Sequence, residues 1–281
     1  IKNHHLVEIE VNGKEMIPCS NLVLAIGHSA RDTFQMLLEK NINMSAKPFA
    51  LGVRIEHSQS MINESQYGMK SHAKLAPASY KLTYTTTSGR GVYSFCMCPG
   101  GYVVNASSED GLLAINGMSN YNRESENANS AIVVSVKPED FGNNVLDGMA
   151  FQRKLERLAF LEGNGNIPIQ CYRDFKENKV TTKLGTVKPI FKGNYQFSNL
   201  NHILPKFVSE SLMEGIEYFG TKIKGYNDGD SIMAGIESRT SSPVRIERDE
   251  TLESNVKGIY PCGEGSGYAG GITTAAMDGM K

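Results

Sequence analysis

The stretch Gly258–Gly279, GIYPCGEGSGYAGGITTAAMDG, decides how this chain is read. Gly258 to Tyr260 has the apolar character of a strand end, glycines follow at 263, 265, 267, 270 and 271, and Ile272 to Met277 continues as a Thr/Ala-rich helix. Glycine admits positive φ and close backbone approach, and the free N–H groups of a first helical turn form a positive dipole end. Strand, glycine turn and helix in that order make a cradle for a phosphate or an electron-rich ring edge. Glu264, inside the turn, is an acceptor of the kind that holds a ribose or ribityl hydroxyl. Gly265, Gly267 and Gly270 satisfy G-x-G-x-x-G, but a dinucleotide fingerprint needs a second strand with an acidic residue about twenty positions on. The sequence runs only to Lys281, so these glycines read as the closing half of a cofactor site. A plain glycine turn capping a packed helix is the alternative.

The other end of the chain has a matching layout. Leu6 to Val11 alternates as a strand, Asn12-Gly13 supplies a hairpin turn, and Lys14 to Ile17 returns antiparallel. Leu22 to Ile26 is continuously apolar, as in a buried parallel strand, and breaks into Gly27-His28-Ser29 before a helix from Thr33 to Lys40. Two strand-then-glycine turns make sense together if both strands share one sheet and both turns open on one crevice at its carboxyl edge.

Between about Ser58 and Pro243 the texture changes. Runs at Tyr80–Thr87, Val92–Met97, Tyr102–Ser107, Leu112–Asn116 and Ala131–Val136 are separated by glycine-containing turns, the pattern of an antiparallel meander. Met149, Phe151, Leu155, Leu158 and Ala159 mark a helix closed by Gly163-Asn164-Gly165. Pro205 opens another, with apolar face Val208, Leu212, Ile216 and Phe219. Val244 to Ile246 leads back toward the C-terminal strand.

Bulk properties narrow the class. Twenty-nine basic against thirty acidic residues give a net charge of −1, so no global field recruits nucleic acid or an anionic membrane, and a small molecule is the expected partner. No apolar run is long enough to span a bilayer. The first residues are polar and basic, without a signal peptide or initiator methionine, and both ends read as cut from a longer polypeptide. Five cysteines, Cys19, Cys96, Cys98, Cys171 and Cys262, are an odd number without a secretory signal, which favours reduced thiols and a cytoplasmic location.

The stretches NLVLAIGHSARDTF (Asn21–Phe34), KPFALGVRIEH (Lys47–His57), YSFCMCPGGYVV (Tyr93–Val104), NGMSNYNRESENANSAIVV (Asn116–Val134), SRTSSPVRI (Ser238–Ile246) and YPCGEGSGYAGGI (Tyr260–Ile272) resemble the C-terminal part of uncharacterised bacterial FAD-dependent dehydrogenases, two-dinucleotide-binding-domain flavoproteins. The resemblance covers nearly the whole chain. It implies that Gly27, His28 and Ser29 line the cofactor near its phosphate or ribityl region, that Gly263 and Glu264 meet the ribityl or pyrophosphate, and that Gly270, Gly271 and Ile272 lie beside the flavin ring. It further implies an N-terminal strand, glycine turn and acidic residue for the ADP half of FAD, and none of these occurs here. The 281 residues alone are therefore expected to bind FAD weakly, if at all, and to be inactive as a fragment.

Other residues invite chemistry. Cys96 and Cys98 sit on alternate positions of a strand before Pro99-Gly100-Gly101. Structural burial is the favoured reading, then a thiol facing the substrate, then a redox dithiol, since pairing within one flat strand would be strained. His28 could donate to the cofactor or cap the following helix. Arg239 and Arg245 bracket Thr240-Ser241-Ser242-Pro243 and suit an anionic substrate, or else lie on a solvated loop. No catalytic residue is assignable, and no metal-ligand spacing is present.

The expected fold is α/β: a partial FAD/NAD(P)-binding sheet from residues 1–57 and 244–281, interrupted by a mixed, largely antiparallel insertion domain of residues 58–243 that covers the flavin and selects substrate. The expected activity of the full-length protein is hydride transfer through FAD, from NAD(P)H or another donor to an unknown acceptor. A tRNA-modifying flavoprotein relative and a non-catalytic binding module are the alternatives.

Overall fold

The computed structural model describes residues 1–281 and is a mixed α/β structure. It divides into two compact units. The first comprises Ile1–Phe49, Val136–Phe151 and Arg239–Lys281, and the second Ala50–Ser135 and Gln152–Ser238. The first thus takes in Val136–Phe151, a stretch the sequence reading assigned to the insertion.

In the first unit the Asn12-Gly13 turn forms as expected. Both residues have positive φ, 53° and 64°, and strands Glu8–Val11 and Glu15–Pro18 pair antiparallel across it. Strands Leu22–Leu24 and Ile259–Pro261, from opposite ends of the chain, pair in parallel, with Ile259 opposite Leu22 and Pro261 opposite Leu24. The returning strand Val244–Ile246 pairs antiparallel with Met44–Ala46. Leu24, Phe34, Leu37, Ile42, Met149, Val244, Ile246 and Ile259 close one apolar core. The helix Arg31–Glu39 turns Phe34 and Leu37 into it, three residues apart on one face.

One expectation fails. The continuous apolar run Leu22–Ile26 does not form a strand buried on both faces: only Leu22–Leu24 is strand, Leu24 is buried and Val23 is 65% exposed. Successive side chains of a strand point to opposite faces. With Ile259–Pro261 as its partner in a two-stranded sheet, this strand buries one face against the core and leaves the other open.

The second unit is built on a seven-stranded sheet in the order Tyr195–Phe197, Ile167–Cys171, Ile232–Glu237, Phe49–Ser58, Asn127–Val136, Gly91–Cys98 and Thr83–Thr85. Ile167–Cys171 pairs parallel with Tyr195–Phe197 and antiparallel with Ile232–Glu237, which pairs antiparallel with Phe49–Ser58, and Gly91–Cys98 pairs antiparallel with both Asn127–Val136 and Thr83–Thr85. The glycine-punctuated runs do not form one meander. Gly101–Asn105 and Ile115–Ser119 leave it for a separate three-stranded sheet with Phe191–Lys192. Helix Lys206–Gly220 follows Pro205 and buries Val208, Leu212, Ile216 and Phe219, the face read from its periodicity.

Strand Phe49–Ser58 carries charge into this sheet: Arg54, Glu56 and His57 are all buried. Burial raises the Glu56 carboxyl pKa to about 8, opposed by hydrogen bonds from the Ile190 N–H and the Asn127 amide. Burial likewise lowers the His57 pKa to about 4. His57 Nε2 lies 2.7 Å from the Tyr226 carbonyl, so the proton sits on Nε2. The two groups bias stability in opposite directions. The raised Glu56 pKa favours the fold fully below about 4.5, and that contribution is lost as pH rises through about 8. The depressed His57 pKa contributes above about 6.5, and its contribution is lost as pH falls through about 4. Glu56→Gln is therefore expected to remove the decline in urea midpoint that wild type shows as pH rises from about 4.5 to about 8. Parallel pH profiles for the two proteins would show that Glu56 stays ionised in the fold.

Candidate cofactor site

The first unit gathers most of the sequence-singled residues onto the turns that end its two parallel strands. His28 Nδ1 and Glu264 Oε1, 236 positions apart in sequence, lie 2.8 Å apart. The side chains are 20% and 31% exposed, so the pair is anchored and still open to a ligand. Arg239 Nη1 donates to Ser29 Oγ at 3.1 Å, and Arg245 Nη2 donates to the Gly267 carbonyl at 3.2 Å. The two arginines, read as bracketing a loop, thus each hold one of the two glycine turns.

Lys47 was not singled out in the sequence. Burial and the neighbouring Arg245 lower its pKa below the ordinary lysine value, and Glu264 opposes that shift. Lys47 and Arg245 face a cleft of about 430 Å³ whose walls also include Ser45, Pro48 and Glu247. The Arg245 guanidinium lies over the Tyr268 ring, 4.9 Å from its centroid, and its buried Nε has no hydrogen-bond partner. A desolvated donor without a partner costs free energy.

The glycines separate into two kinds. Gly263 and Gly267 have φ of 76° and 86°, and a Cβ on Gly265 would lie 1.9 Å from the Ile26 carbonyl oxygen, so the turn itself demands them. Gly27 and Gly270 have no atom within 4 Å of a Cβ position, and at Gly271 the nearest is Thr274 Oγ1 at 3.9 Å. Gly271 is also fully extended, with φ of −168°, a conformation open to any residue. The fold gives no reason for glycine at 27, 270 and 271, whereas a ligand lying against the backbone there does.

Gly271 precedes helix Ile272–Gly279, and Ile272 is 93% exposed. The other end of this helix is pinned. Asp278 accepts two bonds from Arg248, at 2.7 and 3.0 Å, and one from the Gly263 N–H at 2.9 Å. Arg248 also donates to the Pro261 carbonyl at 2.8 Å and stacks on Tyr268 at 3.7 Å. This clasp ties strand end, turn and helix into one piece, and it escaped the sequence reading because nothing local links Arg248 to Asp278.

In the second unit Cys98 is buried but Cys96 is exposed, against the expectation that both are buried. The cause is a β-bulge. Asn129 pairs with Cys98 and Ala131 with Phe95, so Ser130 alone opposes both Cys96 and Met97, and Cys96 takes a φ of 47°. No group of three or more His, Cys, Asp or Glu residues is arranged to hold a metal ion, and no helix is long and apolar enough to cross a membrane.

Residues 48–240 match the family described as FAD-dependent protein, C-terminal domain-like. The chain belongs to that family. It is also 56% identical over 286 residues to an uncharacterised protein of Clostridium beijerinckii, an alignment that covers all of this chain and 54% of the relative. The chain thus spans about half the length of the curated relative it matches. The family match lies mainly over the second unit, so the turns at 27–29 and 263–272 fall outside it but inside the longer alignment.

The residues present fit a flavin cofactor. Backbone at 27, 270 and 271 is open to close approach, Glu264 and His28 are hydrogen-bonding groups for a polyol chain, and Lys47 and Arg245 offer positive charge beside them.

Proposed function

We propose that the polypeptide is an FAD-dependent oxidoreductase, with its first unit forming the flavin-side wall of an interrupted FAD/NAD(P)-binding fold. The observation that carries this reading is the set of glycines at 27, 270 and 271, which the fold does not require and which lie on the same turns as the His28–Glu264 pair. The family membership supports it. Bound flavin supplies two-electron chemistry, accepting hydride from NAD(P)H or another donor and passing reducing equivalents to a small-molecule acceptor.

The chain's own residues bind and orient. Glu264 accepts hydroxyl hydrogen bonds, and His28 fixes its carboxylate. The N-terminus of helix Ile272–Gly279 presents free N–H groups and a positive dipole end that favour negative charge on a neighbouring ring edge. Lys47 and Arg245 favour anionic groups. Cytoplasmic location, weak FAD retention by these 281 residues alone, and the lack of a nucleic-acid partner belong to the same proposal.

The test is the absorption spectrum of the full-length protein. It is expected to be yellow as purified and to bleach anaerobically with NADH or NADPH. Glu264→Ala is expected to weaken flavin binding by about tenfold to a hundredfold, the loss of one hydrogen-bonded acceptor. A colourless full-length protein that binds no added FAD would favour a non-catalytic module. Salt-dependent retention of tRNA would favour the nucleic-acid-modifying alternative.

A further inference from the structure

Cys96 and Cys98 lie in the second unit, apart from the residues assigned to the cofactor, and their geometry is unlike that of two buried structural thiols. On a regular strand Cys96 would share the face of Ser94 and Cys98, both of which are buried. The bulge opposite Ser130, with its positive φ at Cys96, instead brings Cys96 to the surface and leaves Cys98 beneath it. A non-glycine residue in the left-handed region is uncommon, and such conformations cluster where a side chain must be aimed. Cys98 Sγ donates to the Cys96 carbonyl at 3.4 Å, which keeps the second thiol folded back on the first residue. The strain foreseen for two cysteines on a flat strand does not apply, because the strand is not flat here.

Arg54 lies directly behind the pair. Its fully buried guanidinium donates from Nη1 to the Cys96 carbonyl at 3.1 Å and to Asn129 Oδ1 at 2.7 Å, and the same nitrogen is 3.9 Å from Cys98 Sγ. Nη2 donates to Asn116 Oδ1 at 2.9 Å and Nε to Glu237 at 2.8 Å. Asn129, opposite Cys98 in register, keeps a buried Nδ2 without a hydrogen-bond partner. An accessible sulfur, a second sulfur within reach, a fixed cation and a spare donor are the parts of a thiol–disulfide exchange site.

We propose that Cys96 and Cys98 form a redox-active dithiol that reduces small disulfides, with Cys96 as the attacking thiolate and Cys98 as the resolving thiol. In the first step Cys96 Sγ bonds to one sulfur of the substrate disulfide, the substrate S–S bond breaks, and one substrate thiolate leaves. In the second, Cys98 gives its proton to solvent and attacks Cys96 Sγ, the mixed disulfide breaks, and the second substrate thiolate leaves. The dithiol has lost two electrons and two protons, and the substrate disulfide has become two thiols. An external dithiol reductant restores the pair by the same exchange in reverse.

The electrostatics agree. The hydrogen bond from Cys98 and the nearby Arg54 lower the Cys96 pKa to about 6, whereas the bond to Cys96 and burial raise that of Cys98. The charged and titratable groups around the pair are Arg54, Glu237 bound to Arg54, and the buried Tyr80 phenol, whose pKa burial raises.

The experiment treats the reduced protein with oxidised glutathione and maps the products by peptide mass spectrometry. Wild type is expected to lose a pair of hydrogens across Cys96 and Cys98, Cys98→Ser to stop at a glutathionyl adduct on Cys96, and Cys96→Ser to leave Cys98 unmodified. Iodoacetamide trapping of Cys96 should titrate with a midpoint near 6 and shift upward in Cys98→Ala, which removes the donor that Cys98→Ser keeps. The half-buried Cys19 and Cys262 serve as internal controls. Cys96 reacting no faster than those controls, or a Cys98→Ser protein that accumulates no adduct on Cys96, would overturn the proposal. Far-ultraviolet circular dichroism confirms that each variant is folded.

Discussion

In the full-length protein, Gly271→Val is expected to abolish flavin retention while leaving the unfolding transition close to wild type. Both halves of this expectation come from the same position. A Cβ on Gly271 meets nothing nearer than Thr274 Oγ1 at 3.9 Å, and the backbone is extended, which a β-branched residue accepts. The cost to the fold is confined to a poorer residue at the helix N-cap, on the order of 1 kcal/mol or less. The cost to a ligand against that backbone is steric, and a fall in affinity of at least about a hundredfold, about 3 kcal/mol or more, is expected. Gly265→Val is the opposite control. Its Cβ would lie 1.9 Å from the Ile26 carbonyl oxygen, so that variant should lose the turn itself and unfold early. Equilibrium dialysis against FAD, with a urea titration of each variant, separates the two outcomes. If Gly271→Val holds FAD as wild type does, the flavin lies elsewhere and the proposed role of residues 270–272 is wrong.

What could be seen in the sequence was local or periodic. Asn12-Gly13 specifies its hairpin through backbone conformations that few other residues accept, and Val208, Leu212, Ile216 and Phe219 place a helix face by spacing alone. The pairing of Leu22–Leu24 with Ile259–Pro261 was foreseeable because both strands end in the same kind of turn. The failures share a cause, dependence on a partner distant in sequence. Val23 is exposed because of what pairs with its strand, and Cys96 is exposed because a bulge forms against Asn127–Val136. Lys47 is coupled electrostatically to Glu264 and Arg245, which lie some two hundred positions away. Which glycines the turn demands was hidden as well, since 265 and 270 are indistinguishable as letters and differ only in what a Cβ would meet.

Arg54→Met is expected to be the most destabilising single change in the second unit. Arg54 is fully buried and serves four acceptors from separate parts of the chain: the Glu237 carboxylate, the Asn116 and Asn129 amide oxygens, and the Cys96 carbonyl. Its Coulombic partner is buried as well, with Glu237 4% exposed. Charge at such depth is tolerated only when paired and hydrogen-bonded. Removing the guanidinium takes the Arg54 cation away from the Glu237 carboxylate and a donor away from three other oxygens, and breaking a buried pair in this way costs about 3–5 kcal/mol. A domain's whole stability is about 5–15 kcal/mol, so the urea midpoint should fall by a large fraction. Glu237→Gln keeps an acceptor for Nε and should cost less than Arg54→Met. The double variant Arg54→Met/Glu237→Leu removes both charges together and should recover part of the loss, because an apolar pair no longer strands an ion. Equal midpoints for wild type and Arg54→Met would mean that water reaches the guanidinium. Failure of the double variant to recover any stability would assign the cost to Asn116, Asn129 and the Cys96 carbonyl, making the arginine chiefly the fastener of the bulge that exposes Cys96.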